Sequence, residues 1–523
     1  MAGLMIRRAS AGDASPTAPL SPWRALPVIL LGSLMAQFDL FVVNVAAPSL
    51  RSGLHTQNGV IQLAVGGYSL TYGTLLIVGG RLGDIFGARH LLRIGMVAFA
   101  VASALCAVTQ SGSQLVLARL IQGACAALMV PQVLALVTRL FTPQERGRAT
   151  AWFGMTLGLG AVLGQVVGGA LVEHAPLGLG WRTIFLVVVP VALAGAVIVG
   201  RALPAASLEL PASHPGVDPV GLTGLSLSLL LVFVAITLSP EHNWPWWTWP
   251  LLAGGFAGAV ATARWERGRG QRGDPVVIDT ALFHQRVFRV GLAINGAYFL
   301  AFGGVLFVLT FTLQSGLHET PEQSGLTFVG QGAAFAVASL LGARLAGALG
   351  ARLVTIGALI SSTACALLLV QALGTGIGDG PGHLWPFMGL LGIGNGLAIP
   401  AMIASVLRVV DHASSGTAAG VLTTTQQISM AFGVAVLGSV QSVAVLHHAG
   451  TNGYLIGLRV TLGAATALLA LAAVASTALS PRASTSTPGE TDASPSENVA
   501  QCDHGISAHG RADSSGLVND RRL

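Results

Sequence analysis

Fourteen largely apolar stretches follow one another along the chain, at roughly 25–48, 60–82, 91–110, 113–139, 147–172, 181–202, 218–238, 246–264, 288–315, 324–346, 352–373, 384–408, 416–446 and 456–479. An α-helix needs about 20 apolar residues to cross the hydrocarbon core of a bilayer. Inside that core every backbone N–H and C=O must be satisfied within the chain, so stretches of this length read as helices and not as strands. The expectation is an all-α polytopic membrane protein with fourteen transmembrane helices. Only 9% of the residues are charged and mean hydropathy is +0.71, where soluble domains carry about a quarter charged residues. The formal net charge of +6 does not point to nucleic acid, because the arginines gather in the loops that flank the apolar stretches.

Those arginines also orient the chain. One set of alternate connections, with the N-terminal tail, holds nineteen of them; the other set holds only Arg51, Arg182 and Arg459. Positive residues stay on the cytoplasmic side, so both termini are expected inside. The run from Trp244 to Trp249 then falls on the outer side, as an aromatic belt. The first apolar stretch is longer than a signal-peptide core and reads as a retained helix. Residues after about 480 are rich in Ser, Thr, Pro, Gly and Asp and read as a disordered cytoplasmic tail. Cys106, Cys125, Cys365 and Cys502 show no metal-ligand or disulfide spacing and read as small packing residues.

Asp39 lies well inside the first stretch; the other acids fall in loops, tails or the ends of stretches. A carboxylate in hydrocarbon costs several kcal/mol, so it is expected to face a bundle interior and carry a function. Arg119 lies about six residues into the fourth stretch. At 1.5 Å per residue both sit roughly 9–13 Å below the same surface, and neither should stay unpaired in a low dielectric. Burial and a neighbouring cation act in opposite senses on a carboxyl group's hold on its proton. A contact that changes with conformation would therefore make Asp39 and Arg119 a proton switch; a static pair that fixes packing is the plainer alternative.

The chain repeats itself. Arg81, Gly87 and Arg89 recur as Arg344, Gly350 and Arg352 at an offset of 263 (344−81, 350−87, 352−89). Pro131, Arg139, Gly147 and Gly164 recur as Pro400, Arg408, Gly416 and Gly433 at an offset of 269. The organisation expected is a cytoplasmic tail 1–24, a six-helix bundle 25–202, two inserted helices with linkers 203–287, a second six-helix bundle 288–479 and a tail 480–523. Two repeats around a central site is transporter architecture.

At four motifs the chain resembles the major facilitator superfamily, and within it the fourteen-helix drug:proton antiporter family of bacterial multidrug and antibiotic exporters. The resemblance covers about residues 25–480. The motifs are Asp39 with Val43-Asn44-Val45-Ala46 and Pro48, Gly80-x-x-x-Asp84-x-x-Gly87-x-Arg89, Arg119-Leu120-Ile121-Gln122-Gly123, and Gly160-x-x-x-Gly164-Gln165-x-x-Gly168-Gly169. Gln165 stands where that last motif normally has Pro. The resemblance implies a conformational latch at Gly80, Asp84, Gly87 and Arg89, and a smooth face at Gly160, Gly164, Gln165, Gly168 and Gly169 on which the two halves rock. It implies proton-driven export of a small amphipathic compound such as a drug or antibiotic from a bacterial cytoplasmic membrane. Proton-coupled uptake of a metabolite by the same fold stays open because of Gln165.

A binding cavity wants apolar walls with a few polar groups. The polar residues inside stretches are Asn44, Gln122, Gln132, Gln165, Asn295, Tyr298, Gln314, Gln331, Asn395, Gln426 and Gln427. Each could equally join helix to helix. Without deep acids in its second half, the chain is poorly built for a strongly cationic substrate. No His-Glu-x-x-His or Gly-Lys-Ser/Thr motif occurs, so an enzyme is not expected. The partners expected are a small-molecule substrate and the bilayer, with no nucleic acid, no cofactor beyond a proton gradient, and a monomer as the working unit.

Overall fold

The computed structural model describes residues 21–203, 218–272, 274, 276, 280–374, 380–408, 410, 415–448 and 450–479; the expectations for both terminal tails, and for Cys502, lie outside them. Among the described residues all regular structure is helical. The chain runs α1 (Pro22–Gly53), α2 (Asn58–Phe86), α3 (Ala88–Ala107), α4 (Gly112–Leu140), α5 (Pro143–His174), α6 (Thr183–Leu186), α7 (Val188–Ala202), α8 (Pro219–Leu238), α9 (Thr248–Arg272), α10 (Arg286–Phe311), α11 (Pro321–Thr327), α12 (Val329–Leu349), α13 (Arg352–Leu373), α14 (Pro381–Leu407), α15 (Ser415–His447) and α16 (Thr451–Ser476).

Thirteen of these helical stretches are long and apolar enough to cross a membrane. The fourteenth expected span is a helix, α9, but it is less apolar than its neighbours. Arg264, Glu266, Arg267, Arg269 and Arg272 crowd its last two turns. Its 25 residues still give a rod of about 37 Å, longer than the ~30 Å core of a bilayer. The sixth expected span is split at Val187. Pro190 supplies no N–H to the carbonyl of Leu186, and its ring crowds that turn. Five of the helices, α1, α5, α8, α11 and α14, carry Pro at their first position, where a missing N–H costs nothing.

Consecutive helices alternate in direction, which defines two ends. Gly53, Gly112, Trp181 and Pro321 lie toward one, called here the far end. Trp23, Asp84, Arg139 and Gly200 lie toward the other, the near end. Pairs from distant parts of the sequence fix each end. At the far end Arg51 Nη1 donates to Asn58 Oδ1 (2.8 Å) and to Tyr454 Oη (3.4 Å). At the near end Trp23 Nε1 donates to Glu145 Oε1 (2.9 Å) and its ring meets Phe141 edge-on at 4.9 Å.

The repeat in the sequence lands on matching places. Pro131 sits inside α4 and Pro400 inside α14. Gly87 breaks α2 from α3 at φ +86, and Gly350 breaks α12 from α13 at φ +50, a backbone region that favours glycine. A Cβ on Gly164 would meet the carbonyl of Phe38 on α1 at 2.6 Å; one on Gly433 would meet that of Leu300 on α10 at 2.1 Å. So α5 lies against α1 as α15 lies against α10.

Close approach of backbones, with no hydrophobic force between helices in lipid, is what small residues provide. The tightest such place is between α2 and α4, where a Cβ on Gly79 would lie 1.9 Å from the carbonyl of Ala127. Overpacking of this kind costs about 1–3 kcal/mol or more. Gly79→Val is expected to lower the thermal midpoint of the purified protein in detergent, while Gly147→Ala, whose Cβ would meet nothing within 4 Å, is expected to leave it unchanged.

Candidate functional site

Asp39 is fully buried on α1, facing α4. Arg119 donates through Nη1 to Asp39 Oδ2, and both side chains have no exposed area. Gln122, one helical turn beyond Arg119, donates through Nε2 to Asp39 Oδ1 (2.7 Å) and to Ser103 Oγ on α3 (2.8 Å). Its Oε1 accepts from Arg119 Nη1 (2.6 Å). Arg119 Nε reaches the carbonyl of Ala64 on α2 (3.3 Å). The guanidinium carbon lies 4.2 Å from the centre of the Tyr68 ring, a cation–π distance. Tyr68 in turn donates to the carbonyl of Ala36 (3.0 Å). Four helices thus close around one ion pair. Arg119 Nη2 is buried and meets no hydrogen-bond acceptor among the described residues.

The sequence placed Asp39 and Arg119 at matching depth, and the structure puts them in contact. Gln122, expected at a substrate cavity, is instead committed to this network. Ser103, Tyr68 and the Ala64 carbonyl join the site without having been expected from the sequence. A hydroxyl or a phenol in an apolar stretch was a signal for the first two; a backbone carbonyl gives none.

The other expected cavity residues divide into five groups. Asn44 Nδ2 donates to Leu306 O (3.4 Å) and Thr310 Oγ1 (3.3 Å), and Gln314 Nε2 donates to Val45 O (2.8 Å). These bonds tie α1 of the first helix set to α10 of the second and to the turn Thr312–Gly316 that follows it. Asn295 donates to Leu422 O (2.9 Å) and accepts from Gln426 (3.2 Å), joining α10 to α15 within the second set. Tyr298 Oη pairs with Ser361 Oγ (2.6 Å), which donates to Asn395 Oδ1 (3.0 Å). Tyr298, Asn395 and Gln331 line a narrow cavity with Phe302, Leu306 and Cys365. The Oε1 atoms of Gln165 and Gln427 are buried with no partner among the described residues. Gln132 donates to the carbonyl of Gly79 (2.7 Å), a packing contact.

At the near end Arg139 Nη2 donates to Asp84 Oδ1 (3.0 Å), and Arg89 Nη2 donates to the carbonyl of Gly200 (2.6 Å) at the C-terminal end of α7, where a cation suits the helix dipole. The steric demand in this motif falls on glycines other than Gly80. A Cβ on Gly80 would have its nearest neighbour at 3.9 Å; one on Gly83 would meet Gln132 Oε1 at 1.8 Å.

Of the residues expected on the glycine face of α5, only Gln165 and Gly169 lie between the helix sets. Gly160, Gly164 and Gly168 press on Leu34, Phe38 and Val42 of α1, inside the first helix set. Contact between the sets is made by the neighbouring face. Gly169 approaches the carbonyl of Pro321 (2.4 Å from its would-be Cβ), and the carbonyl of Gln165 lies 2.4 Å from the would-be Cβ of Gly325.

Glu319 stands in the far-end turn before α11. Both its oxygens are buried without a hydrogen-bond donor among the described residues, and burial pushes its carboxyl above the ordinary carboxylate range.

An all-helical bundle of two like helix sets, joined by two inserted helices and holding a buried carboxylate–guanidinium pair, is the form of a secondary membrane transporter. The family model for the Major Facilitator Superfamily matches residues 29–434, and the chain belongs to that superfamily. It is 36% identical to a probable actinorhodin transporter of Streptomyces coelicolor over 80% of this chain and 72% of that protein. It is 34% identical to a puromycin resistance protein of Streptomyces alboniger over 82% of this chain and 84% of the relative. A solved bacterial homologue of the human lysosomal transporter Spinster, inward-facing and unoccupied, shares the fold at a TM-score of 0.63 and 16% identity, over 88% of this chain and 97% of that one. The protein is a multi-pass membrane protein.

Two outcomes follow from this geometry. Arg119→Ala leaves a buried carboxylate without its cation and is expected to cost about 3–5 kcal/mol; thermal unfolding in detergent checks it, with Asp39→Asn/Arg119→Gln expected to lie closer to wild type. For Glu319 the folded state holds the proton more tightly than the unfolded one. Its penalty is therefore present at neutral pH and fades as pH falls through the raised pKa. Glu319→Gln is expected to melt higher than wild type at neutral pH, with the gap closing as the pH is lowered.

Proposed function

We propose that the protein exports a small amphipathic compound, of the drug or antibiotic kind, in exchange for protons across the cytoplasmic membrane of a bacterium. The observation that carries the reading is the Asp39–Arg119–Gln122 network, buried where α1, α2, α3 and α4 meet. A proton taken up by Asp39 removes the charge that holds Arg119. Arg119 keeps Gln122 and the Tyr68 ring, so the cation is not stranded when the carboxylate is neutralised. The contact between α1 and α4 then loosens, and loss of the proton restores it. This links one protonation to the packing of the first helix set. The names of the relatives, a probable actinorhodin transporter and a puromycin resistance protein, support export as the direction and natural products as the substrate class.

Arginine asymmetry gives the orientation in this reading: the near end is cytoplasmic, and so are both termini. The contacts of α1 and α5 with the second helix set lie toward the far end, at Asn44–Thr310, Val45–Gln314, Glu173–Glu322 and Gly169–Pro321, while those of α2 with α15 continue toward the near end at Gly73–Thr424 and Ile77–Gly420. On the α5 side, where Cβ atoms on Gly154 and Gly147 would meet nothing within 4 Å, the loss of contact toward the near end fits a state that takes substrate from inside. The Asp84–Arg139 and Arg89–Gly200 contacts then act as the cytoplasmic latch. The transporter works as a monomer, without a cofactor, and draws its energy from the proton gradient.

The test is resistance in a susceptible bacterial host challenged with a panel of antibiotics that includes puromycin. Wild type is expected to raise tolerance to at least one compound. Asp39→Asn, at equal membrane expression, is expected to lose that tolerance. A variant that still expels the compound against its gradient contradicts the switch.

A further inference from the structure

Gln122 touches both charges of the buried pair, and its amide can be presented to them either way round. While Asp39 is charged the choice is dictated. A guanidinium only donates and a carboxylate only accepts, so Oε1 faces Arg119 (2.6 Å) and Nε2 faces Asp39 (2.7 Å). Once Asp39 carries a proton, half of that demand lapses. The carboxyl then has an O–H to donate, and a half-turn of the amide would bring Oε1 to it. The same half-turn would set Nε2 against Arg119, donor against donor. Arg119 would be left with the Ala64 carbonyl and the Tyr68 ring, and a poorly paired cation in a low dielectric is costly.

What opposes the half-turn lies on α3. Ser103 Oγ accepts from Gln122 Nε2 (2.8 Å), and Cys106 Sγ donates to Gln122 Oε1 (3.4 Å). Each end of the amide therefore has one partner on this helix. Neither bond involves Asp39, so neither lapses when Asp39 changes charge. The sequence brings α3 to this place. Leu92, Met96, Phe99, Ser103 and Cys106 are all fully buried and recur at steps of four and three, the stripe of a packed helix face. A Cβ on Gly95 would meet Met129 of α4 at 3.0 Å, so the two helices lie close. Ser103 carries the one hydroxyl in that stripe, and a buried hydroxyl is costly unless it is bonded.

We propose that Ser103 is a positioning residue of the proton site: it holds the Gln122 amide the same way round in both protonation states of Asp39, with Cys106 as the second contact. This rests on the proton-exchange reading above and adds to it the device that directs the response. With the amide fixed, a proton on Asp39 loosens α1 from α4 while Arg119 keeps its place. With the amide free, the proton is met by the turn of one side chain, and no helix is released.

The ionisable groups around Asp39 are Arg119 and Cys125 on α4, Tyr68 and Tyr72 on α2, and Cys106 on α3; α5 meets the turns beside it with Gly160 and Gly164. A guanidinium stays charged throughout. Thiols and phenols titrate at about 8.5 and 10 in water, so at lower pH Asp39 is the member of the site that changes charge.

The test is pH-difference infrared spectroscopy of the full-length protein in phosphatidylcholine liposomes, which reads the C=O stretch of a protonated carboxyl. The band lost in Asp39→Asn belongs to Asp39. In wild type it is expected to titrate between about pH 5 and 8. Ser103→Ala frees the amide to accept from the Asp39 O–H, and its band is expected to titrate about 0.5–1 unit higher, the worth of one hydrogen bond. Ser103→Cys, close to serine in size but a weak acceptor, is expected to shift the same way. Ser103→Thr, which keeps the hydroxyl, is expected to titrate as wild type does. Equal midpoints in wild type, Ser103→Ala and Ser103→Cys overturn the positioning role while proton exchange stands. So does an equal shift in Ser103→Thr, which would make packing the cause. A wild-type Asp39 band that does not change over this range overturns the proton-exchange reading and the positioning role with it.

Discussion

A carboxylate with no water around it is the constraint on which the first helix set depends. Asp39 is held in the bundle because Arg119 and Gln122 supply hydrogen bonds to both its oxygens, and because Arg119 itself is anchored on the Ala64 carbonyl and the Tyr68 ring. Removing Arg119 leaves the carboxylate unpaired in a low dielectric, which costs far more than the pair contributes. A proton on Asp39 is tolerated because Arg119 then keeps Gln122, the Ala64 carbonyl and the Tyr68 ring.

The packing around the pair explains how a local change can be passed on. Four helices meet at the site, and α5 presses its glycine face on the neighbouring turns of α1, from Leu34 to Val42. A shift of α1 is thus felt by α5, and α5 carries the contacts with α11 and α12. Among the described residues the second helix set has no buried counterpart of the ion pair. It holds a neutral chain instead, Tyr298–Ser361–Asn395, beside a narrow apolar cavity. The two halves share a backbone plan and divide the chemistry: charge in one, neutral hydrogen bonds and apolar wall in the other.

Much of this could be read from the sequence, for identifiable reasons. Span length and the depth of Asp39 and Arg119 depend only on the 1.5 Å rise of a helix, so their meeting was legible. So was the break before Pro190, though the span was read as unbroken. The weaker apolar character of α9 follows from five charges near its end, four of which lie beyond the expected boundary at residue 264. Other features were not legible. Gly79 and Gly80 are neighbours about 100° apart around one helix, and nothing in the sequence says which faces α4. A glutamine in an apolar stretch looks the same whether it meets substrate or an ion pair; Gln122 and Gln314 are both spent on the protein itself.

The central claim, that Asp39 is the proton carrier, is tested most directly by substrate-induced proton release. Purified protein in weakly buffered detergent solution, with a pH-indicator dye, would be mixed with the compound to which wild type gives resistance. Wild type is expected to release protons on binding, Glu319→Gln to release as many, and Asp39→Asn to release none while still binding the compound. Equal release from Asp39→Asn would contradict the account and move the proton to another group.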